Sequence, residues 1–131
     1  MLAVQAIIEN EEGLILFRKR HKEPDLGKWE LIAGYVEPGE RLVETVARKM
    51  REKVGVENTQ TIEFTGRYYD EPNRHSGTSC IPFVFKVRVR SQDVPLREGV
   101  QWFSQEEIGK LDMALDNSKS LEDYFSDTKK V

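Results

Sequence analysis

Gly34-Tyr-Val-Glu-Pro-Gly-Glu40, followed by Arg48-Lys-Met-Arg-Glu-Lys-Val-Gly55-Val56, is the stretch on which the fold turns. Between Leu42 and Val54 the apolar residues Leu42, Val43, Val46, Ala47, Met50 and Val54 recur at helical spacing and leave one face to bury. Pro38 and Gly39 punctuate the chain ahead of that run. Gly55 stands where a left-handed residue ends a helix. The stretch therefore predicts a loop, a helix over 42–54 and a second loop. Residues three and four apart on a helix share a face. Positions 49, 52 and 53 form such a set, and here they read Lys, Glu, Lys.

Working outward, Leu2 to Ile8 is strand-like, Asn10-Glu-Glu-Gly13 is a turn signal, and Leu14 to Arg18 is a second strand. Together they predict a hairpin. His21 to Lys28, with Pro24 and Gly27, reads as a loop, and Trp29 to Ile32 as one short apolar strand leading into Gly34. Further strands are expected over Ile62 to Tyr69, Ile81 to Val89 and Val100 to Phe103, with a loop from Asp70 to Thr78. The Ile81 to Val89 segment alternates, so one of its faces reads as mostly polar. Ser104-Gln-Glu-Glu carries an N-cap and acidic first-turn residues. Leu121 to Phe125 reads as a terminal helix, with Ser126 to Val131 fraying. Strands, helix, strands, helix is the order of an α+β sheet with helices on its faces.

The 131 residues are one domain's worth, so a single domain over 1–131 is expected. With 38% hydrophobic and 33% charged residues the composition is that of an ordinary water-soluble chain. A net charge of -3 supplies no field for nucleic acid. No apolar run approaches the ~20 residues of a membrane span, and Met1 to Ile8 lacks the basic flank of a signal peptide. One cysteine, Cys80, leaves no internal disulfide and no cysteine-based zinc site. The expected setting is the cytoplasm, and the expected assembly a monomer or homodimer.

The opening stretch resembles the Nudix box, whose pattern is Gly, five residues, Glu, seven residues, Arg-Glu, an aliphatic, any residue, Glu-Glu, any residue, Gly, an aliphatic. Gly34, Glu40, Arg48, Met50, Glu52, Gly55 and Val56 fall on the pattern, whereas Lys49 and Lys53 stand where the family has glutamate. Leu14 to Arg20, Gly27-Lys-Trp29 and Val100 to Glu107 resemble the flanking parts of the same family, so the likeness covers most of the chain. It implies a mixed sheet packed between helices, an α/β/α sandwich. It also implies a ligand in which a nucleoside diphosphate is linked to another moiety. The implied reaction is attack of water on the diphosphate with help from Mg²⁺ or Mn²⁺. Leu31 to Glu40, with Ile-Ala-Gly where many members have Pro-Gly-Gly, is similar to the version seen in NADH pyrophosphatases, but the Ser-Gln-Pro-Trp segment and the zinc cysteines of that group are absent. Tyr69 to His75 resembles a loop of small members acting on ADP-ribose or nucleotides.

By that resemblance Glu40 and Glu52 are the remaining metal ligands, Arg48 orients them, and Glu98, ahead of Trp102, is a candidate base. Magnesium takes oxygen ligands, mainly carboxylates. A divalent cation and an ammonium about 6 Å apart repel by on the order of 5 kcal/mol at an effective dielectric near 20. Weak metal binding and weakened or lost hydrolysis are therefore expected. Lys49 and Lys53 instead favour a phosphate. Arg18 at the end of the second strand, sharing a face with Arg20, and Arg74 in the Asp70 to Thr78 loop are further candidates for substrate contact. Beside the hydrolase reading stand a non-catalytic nucleotide-binding or sensor module and a protein-interaction scaffold. The helix also reads simply as a solvated face carrying ion pairs Glu44–Arg48 and Arg48–Glu52. Trp29, Phe83 and Trp102 read as core, and Cys80 as buried rather than nucleophilic.

Overall fold

Strand β1 (Leu2–Glu9) organises the molecule, because it is buried on both faces over Ala3 to Ile8 and apolar there except at Gln5. Only a strand covered on both sides of its sheet reads that way. The computed structural model describes residues 1–23, 25–69, 80–113 and 117–128. In it the remaining strands are β2 (Ile15–Lys19), β3 (Trp29–Glu30), β4 (Ile32–Tyr35), β5 (Thr61–Tyr68), β6 (Ile81–Arg88) and β7 (Val100–Phe103). They join in one sheet ordered β3-β2-β1-β6-β5, with β4 added on β1 and β7 on β2. Strand β6 runs parallel to β1 along its whole length, from Leu2↔Ile81 to Glu9↔Arg88. The other strand pairings are antiparallel.

The other edge of β1 is shared. Near its end it meets β2 at Glu9↔Ile15, and nearer its start it meets β4 from Ala3↔Tyr35 to Ala6↔Ile32. The sheet therefore forks. The sequence expectation of a single strand over Trp29 to Ile32 is corrected here: Trp29 and Glu30 pair with β2, and the chain then changes partner at Leu31. A continuous strand cannot serve both branches of the fork.

Helix α1 (Leu42–Val54) lies on one face of the sheet. Val46, Met50 and Val54, spaced four apart, are fully buried there against Val4, Ala6, Ile8, Leu16, Ile32, Phe85 and Val87. The Glu44 carboxylate accepts from the Arg41 backbone N–H at 2.8 Å and caps the helix start. Gly55 closes it at φ 70°, its N–H donating to the Arg51 carbonyl while the Val56 N–H donates to that of Met50. A β-carbon at Gly55 would also strike the Arg97 guanidinium. On the opposite face sit α2 (Gln105–Ile108), capped by Ser104, and α3 (Asn117–Thr128). They cover Ile7, Ile15, Phe17, Leu31, Val84 and Phe103.

This is the expected α/β/α sandwich. Three details differ from the sequence reading. Val84 is buried and Lys86 half-buried, because Ile7, Val84 and Leu121 pack in one cluster on that face. Ser126 to Thr128 are helical rather than frayed. The three aromatic residues read as core, Trp29, Phe83 and Trp102, are only partly buried and pack against the two clusters from their margins. The Asp70 to Thr78 loop lies outside the described residues.

Candidate functional site

Arg48 is the centre of the site. Its Nε donates to Glu40 Oε2 at 2.7 Å, its Nη2 to Glu40 Oε1 at 2.9 Å and to the Tyr35 carbonyl at 3.0 Å, and its Nη1 to Glu52 Oε1 at 3.0 Å. Glu37 lies 3.4 Å from the same guanidinium. One planar, forked side chain thus ties the loop before α1, the end of β4 and the helix itself. The helical pair Arg48–Glu52 forms as the spacing predicts. The pair Glu44–Arg48 is corrected: Glu44 turns to the helix start, and Arg48 reaches back to Glu40.

Glu40 also accepts from the Thr45 hydroxyl at 2.8 Å and the Glu37 backbone N–H at 2.9 Å. These donors, Arg48 first, hold its carboxyl down at about 2. Arg48 and then Lys49 hold the Glu52 carboxyl below its ordinary range.

Lys49 lies along the strand rather than out in water. A β-carbon placed on Gly34 would sit 2.2 Å from Lys49 Cε and 2.5 Å from its Cδ, so the glycine is the floor over which the lysine stem runs. The ammonium ends 3.2 Å from Glu52 Oε2. Lys53, one turn further on, is half-buried, and burial is the main force pushing its ammonium below the ordinary lysine range. The charges that act on it are Glu30, which opposes that shift, and Lys49, Arg18 and Arg20, which add to it.

Glu30 is the residue that sequence reasoning missed. It is buried, and it pairs with Arg20 at 2.8 Å and Arg18 at 3.4 Å. The β2–β3 register sets Arg18 opposite Glu30 and Lys19 opposite Trp29. Alternation then sends Arg18, Arg20 and Glu30 toward α1 and Lys19 away from it. A buried acid beside the Arg-Lys-Arg run was the available signal, but the strand pairing that joins them was not legible.

Glu98 stands elsewhere. It is exposed and lines an open groove with Lys19, His21, Trp29, Gly99 and Gln101, where the Lys19 ammonium sits 5.6 Å from the Trp29 ring centre. Arg74 lies outside the described residues. Cys80 is half-buried, and desolvation raises its thiol above the usual range, which suits a packed thiol.

The resemblance implies a divalent metal held by Glu40 and Glu52. The oxygens of Glu40 and Glu52 are engaged by Arg48, Lys49, Thr45 and the Glu37 amide. Among the described residues no group of three His, Cys, Asp or Glu side chains comes together to hold a metal ion. Among the described residues the donors do not fit Mg²⁺ or Mn²⁺, which take several oxygen ligands, mainly carboxylates and waters.

Comparison with known proteins places this geometry. An ADP-ribose pyrophosphatase of Methanocaldococcus jannaschii is 29% identical over 127 residues, covering 95% of this chain and 72% of that protein. The ADPR responsive transcriptional repressor NtrR of Acinetobacter baylyi is 26% identical, with 96% of this chain aligned to 53% of the repressor. The NUDIX domain of Shewanella oneidensis NrtR, solved with ADP ribose, superposes with a TM-score of 0.83 at 21% identity, over 98% of this chain and 88% of that one. Among the described residues no helix is long and apolar enough to cross a membrane. Residues 1–124, which include the Gly34–Val56 loop-helix-loop and the forked sheet beneath it, match the NUDIX domain, and the chain belongs to that family.

Proposed function

We propose that this chain binds a nucleoside diphosphate derivative of the ADP-ribose type, and that its metal-dependent hydrolysis is weak or lost. One observation carries the reading: the Lys49 ammonium lies 3.2 Å from Glu52, so a fixed cation sits on a carboxylate that a hydrolase would give to a metal. Arg48 holds Glu40 in the same way. The ligand class is supported by relatives described as an ADP-ribose pyrophosphatase and an ADPR responsive repressor. The second of these shows that a protein alike in sequence can be described by response to the ligand rather than by its cleavage.

In this reading Glu40 and Glu52 are structural anchors for Arg48. Lys49, Lys53 and Arg18 face the ligand. Glu98, the candidate base, lines a different groove, so among the described residues it does not join Glu40 and Glu52. The test is an ADP-ribose hydrolysis assay with Mg²⁺ and with Mn²⁺, run beside a thermal-shift titration with the same ligand. Thermal stabilisation with little turnover is expected. Turnover near 10 s⁻¹, roughly the median for enzymes, would show that the lysines do not disable the site. No stabilisation by ADP-ribose under any condition would leave the interaction-scaffold reading ahead. The double change Lys49→Glu with Lys53→Glu should raise affinity for Mn²⁺, and no gain in metal binding would count against Glu40 and Glu52 as former ligands.

A further inference from the structure

We propose that a trough on the α3 face of β1 and β4 receives the base of the nucleoside, and that the buried amide of Gln5 reads that base as adenine. The proposal rests on the preceding reading for the class of ligand, and it adds where the base lies and which side chain selects it.

The pairings of β1 set the floor. On one edge Ala3 stands opposite Tyr35 and Gln5 opposite Ala33; on the other Ala3 stands opposite Pro82 and Gln5 opposite Val84. Residues opposite one another in a ladder share a face. Here it is the face of Ile7, Val84 and Leu121, turned away from α1. At the level of Ala3 the row runs from Tyr35 on β4 to Tyr69, whose N–H donates to the Pro82 carbonyl. Three inter-strand steps of about 4.8 Å set the two tyrosine backbones roughly 14 Å apart. Between them lie only the small side chains of Ala3 and Pro82, with Ala33 beside them. The Tyr69 hydroxyl donates to Asp123 of α3, which pins that wall. The Tyr35 side is open: this residue is 45% exposed, while its carbonyl accepts from Arg48. The trough and the Arg48 site therefore share a residue.

Gln5 shows that this floor is more than a bare stretch of sheet. It is 7% exposed, and its Oε1 is buried without a hydrogen-bond donor. Among the described residues it is the one buried side-chain polar atom left so. Such an atom costs stability, and native structures keep few of them. An apolar side chain fills the same face two residues on, at Ile7. With Ala3 and Ala33 as its small neighbours, the amide has room to meet a base lying over them. A carboxamide matches adenine at two points, donating to a ring nitrogen and accepting from the exocyclic amine. Guanine and hypoxanthine carry a carbonyl in place of that amine, so one amine group of Gln5 meets two acceptors and Oε1 stays unpaired. The exposed ring of Tyr35 supplies stacking, which any base accepts.

The experiment is calorimetric titration of the full chain with ADP-ribose and with its inosine counterpart, IDP-ribose, which lacks the amine. ADP-ribose should bind about tenfold or more tightly, the scale of one hydrogen bond left unmade. Gln5→Met should bring ADP-ribose down to the affinity of IDP-ribose and leave IDP-ribose almost unchanged, with the ligand-free melting temperature at or above that of the parent. Tyr35→Ala should weaken both ligands about tenfold, the scale of one base–aromatic contact, while Tyr35→Phe keeps both affinities. Thermal melts check that each variant is folded. Equal affinities for the two ligands in the parent would overturn this inference and leave the proposed function standing. A preference for ADP-ribose that survives Gln5→Met in folded protein would overturn it as well, by moving the reader of the base elsewhere. Affinities untouched by Tyr35→Ala would remove the base from the trough. Absence of binding by either ligand, with and without Mg²⁺, would sink the proposed function and this inference with it.

Discussion

Arg48 is the first of the donors that hold Glu40 and Glu52 ionised, and part of the acid-side pH dependence follows from it. In the folded chain the Glu40 carboxyl is held at about 2, against 4.5 for the free group, and that of Glu52 is also lowered. A depressed carboxyl stabilises the fold fully above pH 4.5, and that stabilisation is lost as pH falls toward 2. Melting temperature should therefore drop on acidification below about pH 4.5, and Arg48→Ala should flatten that drop while lowering the neutral-pH value. Equal acid slopes in the two proteins would show that Arg48 is not the cause. Gln5 offers an opposite case. It is 7% exposed on β1, and its Oε1 is buried without a hydrogen-bond donor among the described residues. An unsatisfied buried acceptor costs about 1–3 kcal/mol. The near-isosteric Gln5→Met should raise stability by about 1 kcal/mol, measured by urea unfolding, and a destabilised variant would mean that the oxygen is satisfied in solution.

At the level of the element, α1 combines a buried stripe with a functional face, and the two can be separated by mutation. Met50 is completely buried between Val46 and Val54. Met50→Ala should cost about 2–5 kcal/mol in chemical denaturation, as large-to-small core changes do. A loss below 1 kcal/mol would indicate that the sheet closes over the cavity. Gly55, at φ 70°, ends the helix where a β-carbon is disfavoured by about 1–2 kcal/mol. Gly55→Ala should lose at least that much, since the new methyl also displaces Arg97. Gly55→Asn should lose less, because asparagine tolerates the left-handed region. Identical melting points for the two variants would refute the backbone explanation.

Across the whole molecule, α3 is fastened to the sheet by polar contacts as much as by Leu121. Tyr124 donates to Glu9 at 2.7 Å, Tyr69 donates to Asp123 at 2.5 Å, and Arg67 forks onto Asp127 at 2.6 and 2.7 Å. Burial, then the neighbouring carboxylate, raises both phenols well above their usual 10. For an acid whose folded pKa is raised, the stabilising contribution is intact below the unfolded value and is lost as pH climbs past it. Stability should thus decline above about pH 10, and hydrogen exchange should show α3 opening before β1. The double variant Tyr69→Phe with Tyr124→Phe should start less stable and show a shallower alkaline decline. An unchanged alkaline limb would place its origin outside these two phenols.

Local patterns in the chain were enough to determine the helix over 42–54, its glycine stop, the hairpin, the family and the set Glu40, Arg48, Glu52. Each of these depends on residues within a turn or two of one another, or on a spacing that a helix converts directly into a shared face. Tertiary structure alone decided three other matters. Trp29 to Tyr35 divides between two partner strands, because β1 has one free edge and two claimants for it. Glu30 lies beneath Arg18 and Arg20, because that pairing joins residues a dozen apart through a strand register that neither segment specifies. Lys49 and Lys53 turn inward, because a four-carbon stem follows the space its neighbours leave. Gly34 opens that space under Lys49, and the arginines of β2, with Glu30 among them, are the charges that act on Lys53.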